Sequence, residues 1–301
     1  MAECKYISCF SYKGGAGRST LALNVVPFLA EMLNATAEHP FVLVDMDVDS
    51  CGLTYLFGLN AESRIAKDCV QGWFHPRYSQ MPIVDEDDEI DNARNHDMFK
   101  RLFPVGHFFG MQKDAILCLP ANPGESMGSE SNYDAAQSSS INAFKKMCKD
   151  VACGVLFDSA VGNQLTANWS NRCANYIMCC MRPTKQFRDG TERFFDEYDK
   201  KTHSKKIIVI PNVVPTQDLD IGDKHYPDFA KANIIRQFSD NVSRKNNTYY
   251  LDLLDGDKFG VPQIDRFMWQ EGVLKIATQR TAMEEVALER YREIASIIVN
   301  K

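Results

Sequence analysis

The chain has 301 residues, of which 45% are hydrophobic and 25% charged, and a formal net charge of −6 at pH 7. This is the composition of an ordinary globular protein, long enough for one large α/β core or two small ones. It excludes a chain-wide basic surface for nucleic acid, and no apolar run approaches the ~20 residues of a membrane-spanning helix.

The start, Met1-Ala2-Glu3-Cys4-Lys5, leads straight into a strand-like run with no room for a signal peptide, so the expected location is the cytoplasm. The 10 cysteines are scattered and none forms a C-x-x-C pair. Neither a disulfide framework nor metal-ligand spacing is present, and reduced, mostly buried thiols are expected.

Tyr6-Ile7-Ser8-Cys9-Phe10 is a short apolar, β-favouring run that reads as a buried strand. Tyr12-Lys13-Gly14-Gly15-Ala16-Gly17-Arg18-Ser19-Thr20 follows, and then a helical pattern runs to about Leu33. Strand, glycine-rich turn and helix form a context for binding phosphate. Glycines let the backbone bring its N–H groups up to an anion, and the helix adds unsatisfied N–H groups and the positive end of its dipole. The usual spacing is G-x-x-x-x-G-K-[ST]. Here Tyr12 stands at the first Gly, Arg18 stands at the Lys, and an extra cation, Lys13, precedes the double glycine. The plain alternative is a glycine turn before a core helix; Lys13, Arg18, Ser19 and Thr20 in register argue against it.

The K-G-G-x-G-[KR]-[ST] arrangement resembles the deviant Walker A loop of the ParA/MinD family of P-loop ATPases, and its Arg resembles a branch reading Y-K-G-G-x-G-R-[ST]. The resemblance implies ATP and Mg²⁺ as ligands. It implies that Lys13 reaches across a homodimer to the partner's nucleotide, that Ser19 meets Mg²⁺, and that Thr20 meets the α-phosphate. The amides of Gly14, Gly15, Ala16 and Gly17 would cradle the phosphates beside Arg18. A planar guanidinium in place of a point charge allows slower or differently gated hydrolysis.

Phe41-Val42-Leu43-Val44 reads as a second buried parallel strand carrying Asp45 and Asp47 at its carboxyl end. The D-x-D segment resembles the family's, which implies that Asp47 orients the attacking water and Asp45 supports the Mg²⁺ shell. Residues 115–120 read as another strand. Gly154-Val155-Leu156-Phe157-Asp158 is an apolar strand ending in one acid, followed by Ser159-Ala160-Val161-Gly162. A Walker B acid for the Mg²⁺ water shell, then a flexible Gly162 offering its N–H to the γ-phosphate, requires this order. Val161 replaces a Thr of the resembling D-S-x-T-G form.

Tyr176–Met181 and Lys206–Pro211 read as further strands. In the family an Asn after the latter strand reads adenine, and Asn212 matches it; Pro262 resembles the later loop beside the base. From about 61 to 114 the pattern is irregular, with an acidic run Glu86-Asp87-Asp88-Glu89, and reads equally as a solvated excursion or a partner-docking insert. The stretch Met283–Val299 has apolar residues at helical spacing. Its mixed polar face, with Glu284, Glu285, Glu289, Glu293, Arg290 and Arg292, favours a core-facing last helix over a membrane-surface one.

Strand-like runs alternate with helical ones from end to end. The expectation is one domain over 1–301: an α/β fold with a single doubly wound, mainly parallel sheet and helices on both faces, of the P-loop NTPase, SIMIBI type. The expected function is a Mg²⁺-dependent, ATP-hydrolysing switch that dimerises around ATP and controls a protein partner. Non-specific DNA is a further candidate partner, and no membrane contact is expected. The alternative is a slow or non-hydrolysing regulatory subunit of a signalling or defence complex.

Overall fold

The computed structural model describes residues 3–74, 99–125, 127, 134–162, 164–199, 206–214, 220–221, 224–225, 248–250 and 260–300. In chain order the elements are β1 (Lys5–Ser11), α1 (Arg18–Met32), β2 (Phe41–Asp45), α2 (Gly52–Leu56), α3 (Val70–Phe74), β3 (Phe103–Pro104), β4 (Ile116–Leu119) and α4 (Asp134–Val151). They continue with β5 (Gly154–Val161), α5 (Leu165–Cys173), β6 (Tyr176–Met181), α6 (Lys185–Asp199), β7 (Lys206–Pro211), β8 (Asp220–Ile221), β9 (Lys224–His225), β10 (Thr248–Tyr250) and α7 (Ala282–Asn300).

Eight strands form one sheet in the order β10-β7-β6-β1-β5-β2-β4-β3. All pairings are parallel except that of β3 with β4. Strands β8 and β9 pair antiparallel as a separate ribbon. The glycine-loop strand β1 lies between β5 and β6, so the acid-bearing strand is its direct neighbour.

Both faces of the sheet are covered, which is why the strands read as continuous apolar runs rather than alternating ones. Successive side chains of β5 separate onto the two faces. Leu156 joins a core with Ile7, Leu43, Met178 and helices α1 and α7, while Val155 and Phe157 join one with Val42, Val44, Trp73, Phe144 and Trp169. All ten cysteines are buried, and none is joined in a disulfide.

The last helix faces the core, and Ile294 and Ile298 are fully buried. Two residues assigned by spacing to its polar face are buried instead. Glu284 accepts the Thr281 N–H at 2.7 Å while its own N–H donates to the Thr281 hydroxyl at 3.3 Å, a capping box that also pairs with Arg266. Arg290, with a fully buried side chain, donates to Glu293 at 2.9 Å.

The irregular stretch is not wholly a surface excursion. Its described flanks place Trp73, Phe74, Phe99, Leu102, Phe103 and Phe109 in the core. The acidic run at 86–89 lies outside the described residues. Among those described, no helix is long and apolar enough to cross a membrane.

Candidate functional site

The glycine loop spans Tyr12 to Gly17 between the carboxyl end of β1 and the start of α1. Gly15 and Gly17 have φ of 79° and 76°, a conformation L side chains rarely adopt. Helix α1 begins at Arg18 with no side-chain cap on its first turn and no acidic residue within it. Its leading N–H groups therefore stay available, beside an uncompensated positive dipole end. Gly14 and Gly15 are exposed, Ala16 is buried, and Ser19 and Thr20 are half-buried. The ring of Tyr12 lies against Gly190 of α6, where an added Cβ would fall 2.2 Å from Tyr12 Cδ1.

Strands β2 and β5 bring the acids to this loop. Asp45 and Asp158 are register partners on adjacent parallel strands, and the Met46 N–H donates to the Asp158 carbonyl at 2.9 Å. Both side chains are fully buried. Thr54 donates twice to Asp45 Oδ2, at 2.9 Å from its N–H and 2.7 Å from its hydroxyl. Among the described residues no well-formed hydrogen bond reaches Asp45 Oδ1 or either Asp158 carboxylate oxygen. Burial pushes the Asp45 carboxyl up to about 7, with the Asp158 charge adding to it and the Thr54 bonds opposing. Burial pushes Asp158 up to about 6, against the Ser19 hydroxyl and the Arg18 guanidinium, which pull it down. Buried carboxylate oxygens without donors are costly unless a cation meets them, and hard oxygen donors of this kind suit Mg²⁺. The residues present therefore fit that ion.

Arg18 and Asp47 are joined by an ion pair of 2.8 Å, with side chains only 9% and 11% exposed. Arg18 also donates to the Ser11 hydroxyl at 3.4 Å. The Asp47 carboxylate further accepts the Ser50 N–H at 3.4 Å. Lys13 is exposed and donates to the Gln186 side chain at 3.3 Å. The Gly162 N–H, expected at the γ-phosphate, donates here to the Ser11 carbonyl at 3.1 Å. The Asn212 amide nitrogen, expected at adenine, donates to the Ala16 carbonyl at 2.8 Å and the Gly17 carbonyl at 3.3 Å. Pro262 bridges Val214 beside it. The structure thus gathers Arg18, Ser19, Asp45, Asp47, Asp158 and Asn212 around the loop, and leaves Lys13 facing solvent.

Sequence reasoning missed Ser11, Cys9 and Cys180. The Ser11 hydroxyl donates to the Lys13 carbonyl at 2.6 Å, and the two thiols donate to carbonyls of the loop and the first turn of α1. Cys9 and Cys180 read only as strand interior, and no spacing distinguishes them from the other apolar positions of β1 and β6.

The sheet order, the glycine loop and the acids at neighbouring strand ends make an α/β fold like that of ParA/MinD-type ATPases of known structure. No known protein family and no curated protein matches the chain by sequence. Solved structures match it by fold. The septum site-determining protein MinD of Pyrococcus horikoshii OT3, complexed with Mg-ADP, is 15% identical at a TM-score of 0.52, covering 98% of each chain. McdA of Cyanothece in its apo form is 12% identical at 0.60, covering 98% of this chain and 99% of the other. The pNOB8 ParA bound to nonspecific DNA is 14% identical at 0.56, covering 99% and 98%.

Proposed function

We propose that the chain is a Mg²⁺-dependent ATPase of the ParA/MinD kind that dimerises around ATP and uses hydrolysis to control the position or activity of a partner protein. The observation that carries this reading is the buried acid pair, Asp45 and Asp158, three of whose carboxylate oxygens no well-formed hydrogen bond from the described residues reaches, set at the strand ends bordering a glycine loop whose helix start is uncapped. The fold neighbours, among them a cell division ATPase MinD and plasmid partition proteins, support it.

In this reading the loop amides of residues 14–17, with Arg18 and Thr20, hold the phosphates. Ser19 and Asp158 would hold Mg²⁺, with Asp45 behind them, and the ion would supply neutralisation of the polyphosphate charge. Asp47 orients the attacking water once Arg18 has turned from it to the phosphates. Lys13 of the partner protomer meets charge developing on the leaving group, which suits its exposure and its bond to Gln186. Asn212 and Pro262 border the base. The Mg-ADP bound to the MinD neighbour favours an adenine nucleotide, and the pNOB8 ParA complex makes non-specific DNA a candidate partner of the ATP-bound dimer.

The test is gel filtration and phosphate release with ATP and Mg²⁺ against ADP. Dimer with ATP alone, and release lost on chelating Mg²⁺, supports the reading. A monomer in both states with no release overturns it.

A second reading is favoured by one contact. The Arg18–Asp47 ion pair engages both the phosphate cation and the water-orienting acid, as a slow or non-hydrolysing regulatory subunit requires. Tight ATP binding without single-turnover phosphate release selects that reading.

A further inference from the structure

Three side chains at the carboxyl ends of three adjacent strands reach the loop from beneath. Cys180 of β6 donates its thiol to the Ala16 carbonyl at 3.0 Å. Asn212, just past β7, donates to the same carbonyl at 2.8 Å and to that of Gly17 at 3.3 Å. Cys9 of β1 donates to the Arg18 carbonyl at 3.5 Å. All three side chains are buried, Cys9 and Cys180 completely.

These donors fix more than the carbonyls. A trans peptide points its C=O and its N–H in opposite directions. Pinning the Ala16, Gly17 and Arg18 carbonyls down onto the sheet therefore aims the N–H groups of Gly17, Arg18 and Ser19 away from it. Those are the donors at the start of α1 that the helix itself does not satisfy. Both lone pairs of the Ala16 carbonyl are used, so this peptide plane is held on two sides.

Two further features show that the contact is enforced. A Cβ on Gly17 would fall 2.8 Å from Asn212 Nδ2 and 3.2 Å from Val213 Cγ2, so only glycine admits the approach. Val213, β-branched, is held at φ 55°. Such strain persists only where surrounding contacts over-determine it.

We infer that Cys180, with Asn212 and Cys9, is a positioning residue that presets the loop amides for a polyphosphate tail, and that the Asn212 amide nitrogen serves the loop rather than the base. The inference rests on the proposed nucleotide site and names how that site is preorganised. A preset array of donors binds an anion without first ordering itself.

The experiment titrates wild type, Cys180→Ala and Cys180→Ser with Mg²⁺-ATP and, separately, with Mg²⁺-pyrophosphate, which has the tail and no base. Each protein is also melted thermally, and kcat is taken at saturating ATP. Cys180→Ala is expected to weaken both ligands by the same factor, about three- to tenfold for one lost neutral hydrogen bond. Its kcat at saturation stays within about twofold, since the bond acts equally on bound and reacting states. Cys180→Ser, which keeps an O–H donor, restores both affinities even if its melting temperature falls. Unchanged affinities in Cys180→Ala, a loss confined to ATP, or failure of Ser to restore binding in a protein that melts as a folded unit overturns the inference. Wild type that binds neither ligand removes the nucleotide reading itself, an outcome distinct from these.

Discussion

Arg18 and Asp47 hold each other at 2.8 Å across the mouth of the loop, each about nine-tenths buried. In the proposed function one is the cation that holds the phosphates and the other the acid that orients water, so neither would be free for its part while the pair persists. Removing one member leaves the other's charge poorly compensated. Asp47→Asn should therefore release Arg18 for the phosphates, tightening Mg²⁺-ATP binding by about tenfold or more, since the buried guanidinium left unpaired gains a new anionic partner. It should at the same time lower turnover by about 10²-fold or more. Titration and single-turnover kinetics on one preparation read both. Weakened binding with unchanged turnover contradicts the latch.

Lys13 projects into solvent from the same loop, its ammonium donating to the uncharged Gln186. Lys13→Ala should leave ATP affinity within about twofold and reduce turnover strongly, as loss of a charge-stabilising finger does. If it acts across a two-fold dimer, mixing Lys13→Ala with Asp47→Ala in equal amounts should regain about a quarter of wild-type turnover. Half of the dimers are then mixed, and each mixed dimer has one intact composite site. No recovery on mixing places Lys13 in its own protomer's chemistry or outside it.

The acid pair makes stability depend on pH. Asp45 is raised from 3.8 to about 7 and Asp158 from 3.8 to about 6, in both cases chiefly by burial. A carboxyl raised in the folded state keeps its proton where the unfolded chain has lost it. Its stabilising contribution is thus complete below about pH 4 and is lost as pH rises through 6 to 7. In chelator at pH 7.5, Asp158→Asn should melt higher than wild type by about 1–2 °C, the shift for roughly 1 kcal/mol at this size. The order should reverse with Mg²⁺ and ATP, which the variant holds poorly. A lower melting point for Asp158→Asn in chelator contradicts the buried-charge account.

Most strands were legible because buried parallel strands are unbroken apolar runs. Tyr6–Phe10 lies within Lys5–Ser11, and Gly154–Asp158 begins β5 at its first residue. The loop was legible because its chemistry is local. What periodicity hid is set by contacts distant in sequence. Cys180 meets Ala16 from 164 residues away and Asn212 from 196, and nothing at either end marks the pairing. Arg290 and Glu284 misled because charged residues at helical spacing are usually solvated, whereas here they are buried with partners. The two-residue strand Phe103–Pro104 is too short to carry a period and is defined only by its pairing with β4.

Tyr12 fills the notch left by Gly190, where a Cβ would sit 2.2 Å from the ring. Gly190→Ala should cost about 1–3 kcal/mol by overpacking, less the few tenths to 1 kcal/mol that Ala gains in a helix. Because the strain arises between these two side chains, Tyr12→Ala should remove most of it in the double variant. Denaturant unfolding of the four-protein cycle measures the coupling. Additive effects show that the contact does not bear on stability.

The most direct measurement is equilibrium dialysis of the purified chain against ATP and GTP, with millimolar Mg²⁺ and with chelator. The account predicts one ATP held per chain, lost or much weakened when Mg²⁺ is withdrawn and when Asp158 is replaced by Asn. Retention of neither triphosphate by the folded wild-type protein contradicts it.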